Sequence, residues 1–187
     1  MRAFIAIEIS EEIRSALAQI QSHLKYAGGD VKWVEPHNIH LTLKFLGEIS
    51  EEKSEKIKSI LDEIGKATNP FEITIKDIGA FPKIEYPRVI WVGLDKGANE
   101  SRVLAEKIDE SLSKIGFQKE TRPFASHLTI GRVRSSKNKE ALKEKIFSSP
   151  QSTVHSPQLI SSVILFKSTL TPKGPIYTKL HEARLVK

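Results

Sequence analysis

Apolar and polar positions change period in an ordered way along the chain. Ala3, Ile5, Ile7 and Ile9 alternate with Phe4, Ala6 and Glu8, a two-residue period that predicts a short strand. Ser10 then offers a helix N-cap, with Glu11 and Glu12 in the first turn, where acidic side chains suit the helix dipole. Ile13, Ala16, Leu17, Ile20 and Leu24 recur every three or four residues, so residues 11–26 are expected to form an amphipathic helix stopped by Gly28-Gly29. A loop around Pro36 leads to a strand over Ile39–Leu46, closed by Gly47. Ser50 caps a second helix with Ile57, Ile60, Leu61 and Ile64 on one face, and Phe71–Ile78 alternates again as a strand.

The second half repeats this order. Arg88–Leu94 reads as a strand, residues 99–115 as a helix carrying Val103, Leu104, Ile108, Leu112 and Ile115, and Ser126–Val133 as a strand. His40 follows Ile5 by 35 residues (40 minus 5) and His127 follows Ile90 by 37 (127 minus 90), the spacing of a duplicated unit. A short Lys/Glu-rich helix over 138–147, a loop over 148–157 and strands near 158–167 and 176–185, joined by a turn at Thr171–Pro175, complete the pattern. The expected fold is α+β: two pseudo-symmetric lobes, each an antiparallel sheet with outer helices, around a central cleft. Residues 1–187 read as a single bilobal domain, since no linker-like stretch divides them.

Composition narrows the chemistry. With 187 residues, 39% of them apolar, the chain can bury a sizeable core. No apolar run approaches the roughly 20 residues a membrane helix needs. Met1–Glu8 is acidic by its eighth residue and lacks a small-residue cleavage site, which is not the pattern of a secretory signal, so a cytoplasmic setting is expected. There is no cysteine, which removes disulfides, thiolate nucleophiles and cysteine-bound metal centres. The net charge of +6 suits a polyanionic partner without identifying one.

Within the repeat, each half places one tetrapeptide at corresponding positions: His40-Leu41-Thr42-Leu43 and His127-Leu128-Thr129-Ile130. Strand alternation puts each His and its Thr on one face, with Leu41, Leu43, Leu128 and Ile130 turned to the core. Two imidazoles can divide acid and base work near neutral pH, and two hydroxyls can donate to the non-bridging oxygens of a phosphate between them. The pair therefore suits displacement at phosphorus without a metal or cofactor. A lone strand histidine is usually an ordinary packed or surface side chain; here the paired, repeat-related placement carries the argument. Zinc would need acidic partners in phase, and neither motif has them nearby.

At these residues the chain resembles the 2'-5' RNA ligase family of two-histidine phosphoesterases, also described as RNA 2',3'-cyclic phosphodiesterases. The matching stretches are Arg2–Ile7, His40–Gly47, Gly79–Pro82, Pro87–Trp91, Pro123–Arg132, Ser168–Leu170 and Gly174–Tyr177, which together span essentially the whole chain. The resemblance implies hydrolysis of an RNA 2',3'-cyclic phosphate to a 2'-phosphomonoester, with His40 as proton donor, His127 as proton acceptor, and Thr42 and Thr129 holding the phosphate. With an RNA 5'-hydroxyl in place of water, the same chemistry forms a 2'-5' linkage, reversibly. The implied partner is RNA carrying a cyclic phosphate end, tRNA fragments included, acted on by a monomer that needs neither cofactor nor membrane.

Secondary residues are less settled by pattern. Arg132 resembles a family phosphate contact, yet strict alternation assigns it to the Leu128 and Ile130 face; a bulge at Gly131 would re-aim it. Lys44 is in phase with His40 and Thr42 and is a candidate RNA contact, as are Phe81 and Arg88. Arg122 and Arg134 extend the basic rim, Tyr86 could stack on a base, and Trp33 and Trp91 are assigned to packing. Two rival functions stand beside the leading one: a noncatalytic RNA-binding module, and a phosphodiesterase for a small cyclic nucleotide such as an ADP-ribose derivative.

Overall fold

The computed structural model describes residues 1–149 and 154–187, with 154–156 described by backbone alone. The chain order is β1 (Arg2–Glu8), α1 (Glu11–Lys25), β2 (Val31–Trp33), a 3-10 turn (Pro36–Asn38), β3 (His40–Glu48), α2 (Glu51–Lys66), β4 (Phe71–Lys83) and β5 (Tyr86–Leu94). It continues through α3 (Ala98–Ser113), β6 (His127–Val133), α4 (Lys139–Ser148), β7 (Val154–Ile160), β8 (Ser162–Thr171) and β9 (Gly174–Arg184). The N-caps read from sequence form: Ser10 and Ser50 accept from the backbone N–H of Ile13 and Lys53, each satisfying a donor that has no partner inside its helix.

Two antiparallel sheets result, one of four strands in the order β3-β1-β8-β9 and one of five in the order β2-β6-β5-β4-β7. The α+β two-lobed architecture expected from the repeat is the one observed. Helices α2 and α3 pack over the four-stranded sheet, through β9 and β3, while α1 packs over the five-stranded sheet with α4 beside it. The repeat units thus exchange helices, because α1 follows a strand of the first sheet and α3 a strand of the second. Strands β3 and β6, which carry the two motifs, approach each other between the sheets.

Four expectations change. Residues 158–167 are not one strand: the chain crosses sheets at Ser161, β7 pairing with β4 and β8 with β1. An apolar run cannot announce such a crossing, because both sheets bury the same kind of side chain. The loop expected over 148–157 contains the start of β7 at Val154, and residues 150–153 of it lie outside the described residues. Strand β4 runs on to Lys83 through Gly79-Ala80-Phe81-Pro82, because β5 starts early enough, at Tyr86, to pair with it. Strand β2, three residues long and half-buried, pairs with β6 and was too short to leave a periodic signal.

Candidate functional site

Pairing register decides which side chains share the motif faces, since residues directly opposite one another in an antiparallel pair project to the same side. In the first lobe, His40 lies opposite Glu8 and Thr42 opposite Ala6. The next pair is Lys44 with Ile5, so Leu43 is an extra residue in β3, and alternation is reset after it. Phe45, opposite Phe4, returns to the His40 face. In the second lobe His127 lies opposite Gly93 and Thr129 opposite Trp91, Ile130 is the extra residue, and Gly131 and Arg132 pair with Ile90 and Val89. In both motifs the bulge therefore falls at the fourth residue.

The bulges settle two residues in opposite ways. Arg132 is carried onto the face of His127 and Thr129, where its charge is felt by His127 and, across the two lobes, by Tyr177 of β9. Lys44 is carried away from the face of His40 and Thr42. Its ammonium is buried, 2.6 Å from Asp109 of α3, 3.0 Å from the Gln118 carbonyl and 3.2 Å from Glu120. The expected place of Lys44 beside an RNA strand is thus not found, because strict alternation across the bulge assigned it the wrong face.

Each histidine is oriented from behind by the backbone two residues earlier. His40 Nδ1 is 3.0 Å from the Asn38 carbonyl, and His127 Nδ1 is 2.7 Å from that of Ala125. A carbonyl can only accept, so both Nδ1 atoms carry the hydrogen and both Nε2 atoms are left outside these bonds. The supporting loops are tied down. Asn38 donates through its side chain to the Pro175 carbonyl, and Ser126 joins the fully buried Ser101, 2.6 Å away, at the start of α3.

The surroundings of the two rings differ. His40 is 9% exposed and packs among Phe166, Tyr177 and Phe4, with ring centroids 4.7, 5.4 and 6.1 Å away. Burial lowers its pKa to about 4; the Asn38 carbonyl opposes this, Arg14 and Lys179 add to it, and Glu8 resists. His127 is only half-buried, with Phe81 edge-on at 5.0 Å. Its pKa is lowered by burial, against the pull of the Ala125 carbonyl, and further by Arg132. Tyr177 is shifted upward, by burial first, with Arg132 and Arg2 opposing. A depression of about 380 Å³ is lined by Glu8 and Arg14, whose charges act on His40, while neither His40 nor His127 lines it.

Phe81 packs between His127 and Trp91, and Arg88 is exposed where the pairing of β4 and β5 slips by one residue. Trp91 packs as expected: it lies opposite Thr129, and its ring covers Gly79, where an added Cβ would clash with Trp91 Cζ2. It therefore supports the His127 face rather than the central core, and glycine at 79 makes room for it. Trp33 does pack against the core. Tyr86 is 60% exposed under the ammonium groups of Lys83 and Lys139. Sequence reasoning missed Tyr177, Phe166 and Phe4 as neighbours of His40. Only alternation along β1, with Phe4 and Ala6 on the side of Glu8, hinted that this face is aromatic and buried. Among the described residues no three His, Asp or Glu side chains gather closely enough to hold a metal ion.

This geometry has known counterparts. An RNA 2',3'-cyclic phosphodiesterase of Methanocaldococcus jannaschii is 43% identical over 183 residues, spanning 97% of this chain and 99% of that protein. One of Methanothermobacter thermautotrophicus is 40% identical over 185 residues, spanning 99% of each. The crystal structure of TT0787 of Thermus thermophilus superposes with a TM-score of 0.82 at 27% identity, covering 99% of this chain and 98% of that one. The family described as LigT like Phosphoesterase matches residues 7–91 and again 92–177, one match for each half of the internal repeat. The chain belongs to that LigT-like phosphoesterase family, and each of its two matched stretches carries one of the two motifs, His40-Leu41-Thr42 in the first and His127-Leu128-Thr129 in the second.

Proposed function

We propose that this chain hydrolyses the 2',3'-cyclic phosphate at an RNA 3' end to a 2'-phosphomonoester. The observation that carries the reading is the repeated placement of a histidine with a free Nε2 and a threonine on one face of each motif strand, on a full-length match to relatives that bear the name of this activity. His127 Nε2 takes a proton from water as the water oxygen bonds to phosphorus, the P–O3' bond breaks, and protonated His40 delivers its proton to the departing 3'-oxygen. Thr42, Thr129 and Arg132 hold the non-bridging oxygens, supplying fixed dipoles and one charge where negative charge builds up. With an RNA 5'-hydroxyl in place of water, the same step makes a 2'-5' bond with each histidine in the same role, and in the reverse, when the 3'-hydroxyl attacks that bond and the 5'-oxygen leaves, the histidines exchange roles.

The low pKa of His40 constrains this scheme. In the free protein its imidazole is neutral near pH 7, so a proton donor at this position takes up its proton as the anionic phosphodiester arrives and favours the charged form. Phe81, Arg88 and the exposed basic residues around Arg132 guide the RNA strand. One chain carries both motifs, so a monomer suffices, and no helix of the described residues is long and apolar enough to cross a membrane. We place the enzyme in the cytoplasm, where RNA ends are processed.

The test is turnover of an oligonucleotide 2',3'-cyclic phosphate in the presence of a chelator, with the product identified. A 2'-phosphate is expected, and His40→Ala or His127→Ala should each lower kcat by about 10²- to 10⁴-fold. A 3'-phosphate, or wild-type rates in both variants, would overturn the mechanism. Binding without turnover would favour an RNA-binding module, and faster turnover of mononucleotides than of oligonucleotides would favour a small cyclic nucleotide as substrate.

A further inference from the structure

Helix α1 buries Ile13, Ala16, Leu17 and Leu24, and among them one amide side chain, Gln21, which is 2% exposed. An amide in that position is costly unless its donors are satisfied. Both are: Nε2 lies 2.7 Å from the Val34 carbonyl and 2.9 Å from the Ile130 carbonyl. Ile130 is the extra residue of the β6 bulge, and its carbonyl also accepts from the Val34 backbone N–H at 3.0 Å. Two donors, one from a helix of the first repeat and one from the segment just past β2, therefore converge on the residue at which β6 resets its alternation. Without that reset Arg132 would share the inward face of Leu128 and Ile130.

The first lobe solves the corresponding problem by other means. There the residue after the bulge, Lys44, is held by Asp109 of α3. In each lobe, then, the strand just past the motif is fixed by a polar side chain on a helix from the other repeat. In the first lobe the fixed group is an inward lysine; in the second it is the bulge itself, two residues ahead of an arginine that must face outward.

We infer that Gln21 is a positioning residue for Arg132: by holding the Ile130 carbonyl it sets the β6 bulge and so the direction from which the guanidinium reaches the substrate phosphate. The inference rests on the phosphoesterase reading of the site. It is tested by a cycle of Gln21→Met, which keeps length and removes the donors, with Arg132→Ala. kcat/KM is measured on a cyclic phosphate, and the Kd of inorganic phosphate is measured by calorimetry. Arg132→Ala should lower kcat/KM about 10²-fold. Gln21→Met should lower it about 10-fold when Arg132 is present and less than about 2-fold when it is absent, with the phosphate Kd moving in the same pattern, because residues acting through one another are not additive. An equal loss in both backgrounds, or no loss with Arg132 present, overturns the inference. If Gln21→Met does not fold, Gln21→Asn, too short to reach both carbonyls, enters the same cycle. Absence of turnover in the wild-type protein would instead strike the phosphoesterase reading, and the phosphate-binding cycle would still decide the role of Gln21.

Discussion

His40 and Lys44 lie four residues apart and each buries an ionisable group, with opposite consequences. His40 is buried as a neutral ring, so the folded protein resists its protonation down to about pH 4, while in the unfolded chain it titrates near its ordinary value of 6.5. Below pH 6.5 the unfolded state therefore binds the extra proton, and stability falls as pH drops toward 4. Between about pH 7 and about pH 4.5 this one residue should cost about 2 kcal/mol. Urea unfolding of wild type and His40→Asn at both pH values measures it: the wild type should lose that much more than the variant, and equal losses would mean the ring is not shielded as described. Lys44 is buried as a cation among Asp109, Glu120 and the Gln118 carbonyl. Replacing it with Met leaves Asp109, 18% exposed in its side chain, without its counter-charge. Lys44→Met should cost about 2 kcal/mol of stability, toward the low side for a broken ion pair because Glu120 is well exposed. It should leave the salt dependence of RNA binding unchanged. An RNA contact would behave in the reverse way, with stability intact and the salt slope reduced by about one.

At the scale of strands and helices, period was the legible signal and its interruptions were not. The amphipathic helices α1, α2 and α3 follow from three- and four-residue spacing, and β1, β3, β5 and β6 from alternation, because each presents one face to a core and one away from it. The same alternation placed His40 with Thr42 and His127 with Thr129 correctly. It failed one residue later, at Leu43 and Ile130, because an extra residue in a strand changes the phase without changing the composition. Gly131 gave a local hint of the second bulge, since a glycine inside a strand pattern often marks one. Nothing in Leu43-Lys44 gave a hint of the first. The aromatic surroundings of His40 were hidden for another reason: pairing of β1 with β8 and β8 with β9 brings Phe166 and Tyr177 to it from more than 120 positions further along the chain. The break at Ser161 belongs with these, being a change of sheet in an unbroken apolar rhythm.

For the whole molecule, the repeat invites a picture of two lobes folding separately, and the packing argues against it. Helix α1 of the first repeat covers the five-stranded sheet and α3 of the second covers β3, so each half lacks part of its own cover. One core cluster joins Ile13 and Leu17 of α1, Ile57 and Leu61 of α2, Leu104 and Ile108 of α3, and Leu142 and Ile146 of α4 with the inward residues of both sheets. Gln158 of β7 clamps the lobes further, accepting from the Ser10 N–H at 2.7 Å and donating to the Glu8 carbonyl at 2.9 Å. We therefore propose that residues 1–187 form a single cooperative domain. Trp33 and Trp91 both lie in the five-stranded sheet, so their fluorescence follows that sheet alone, whereas far-ultraviolet circular dichroism follows helices over both. The two signals should trace one coincident urea transition, with a calorimetric enthalpy equal to the van't Hoff value. A fluorescence transition separated from the dichroism would mean that the two sheets lose their structure separately, and the approach of β3 to β6 would then be lost at a lower denaturant concentration than the secondary structure.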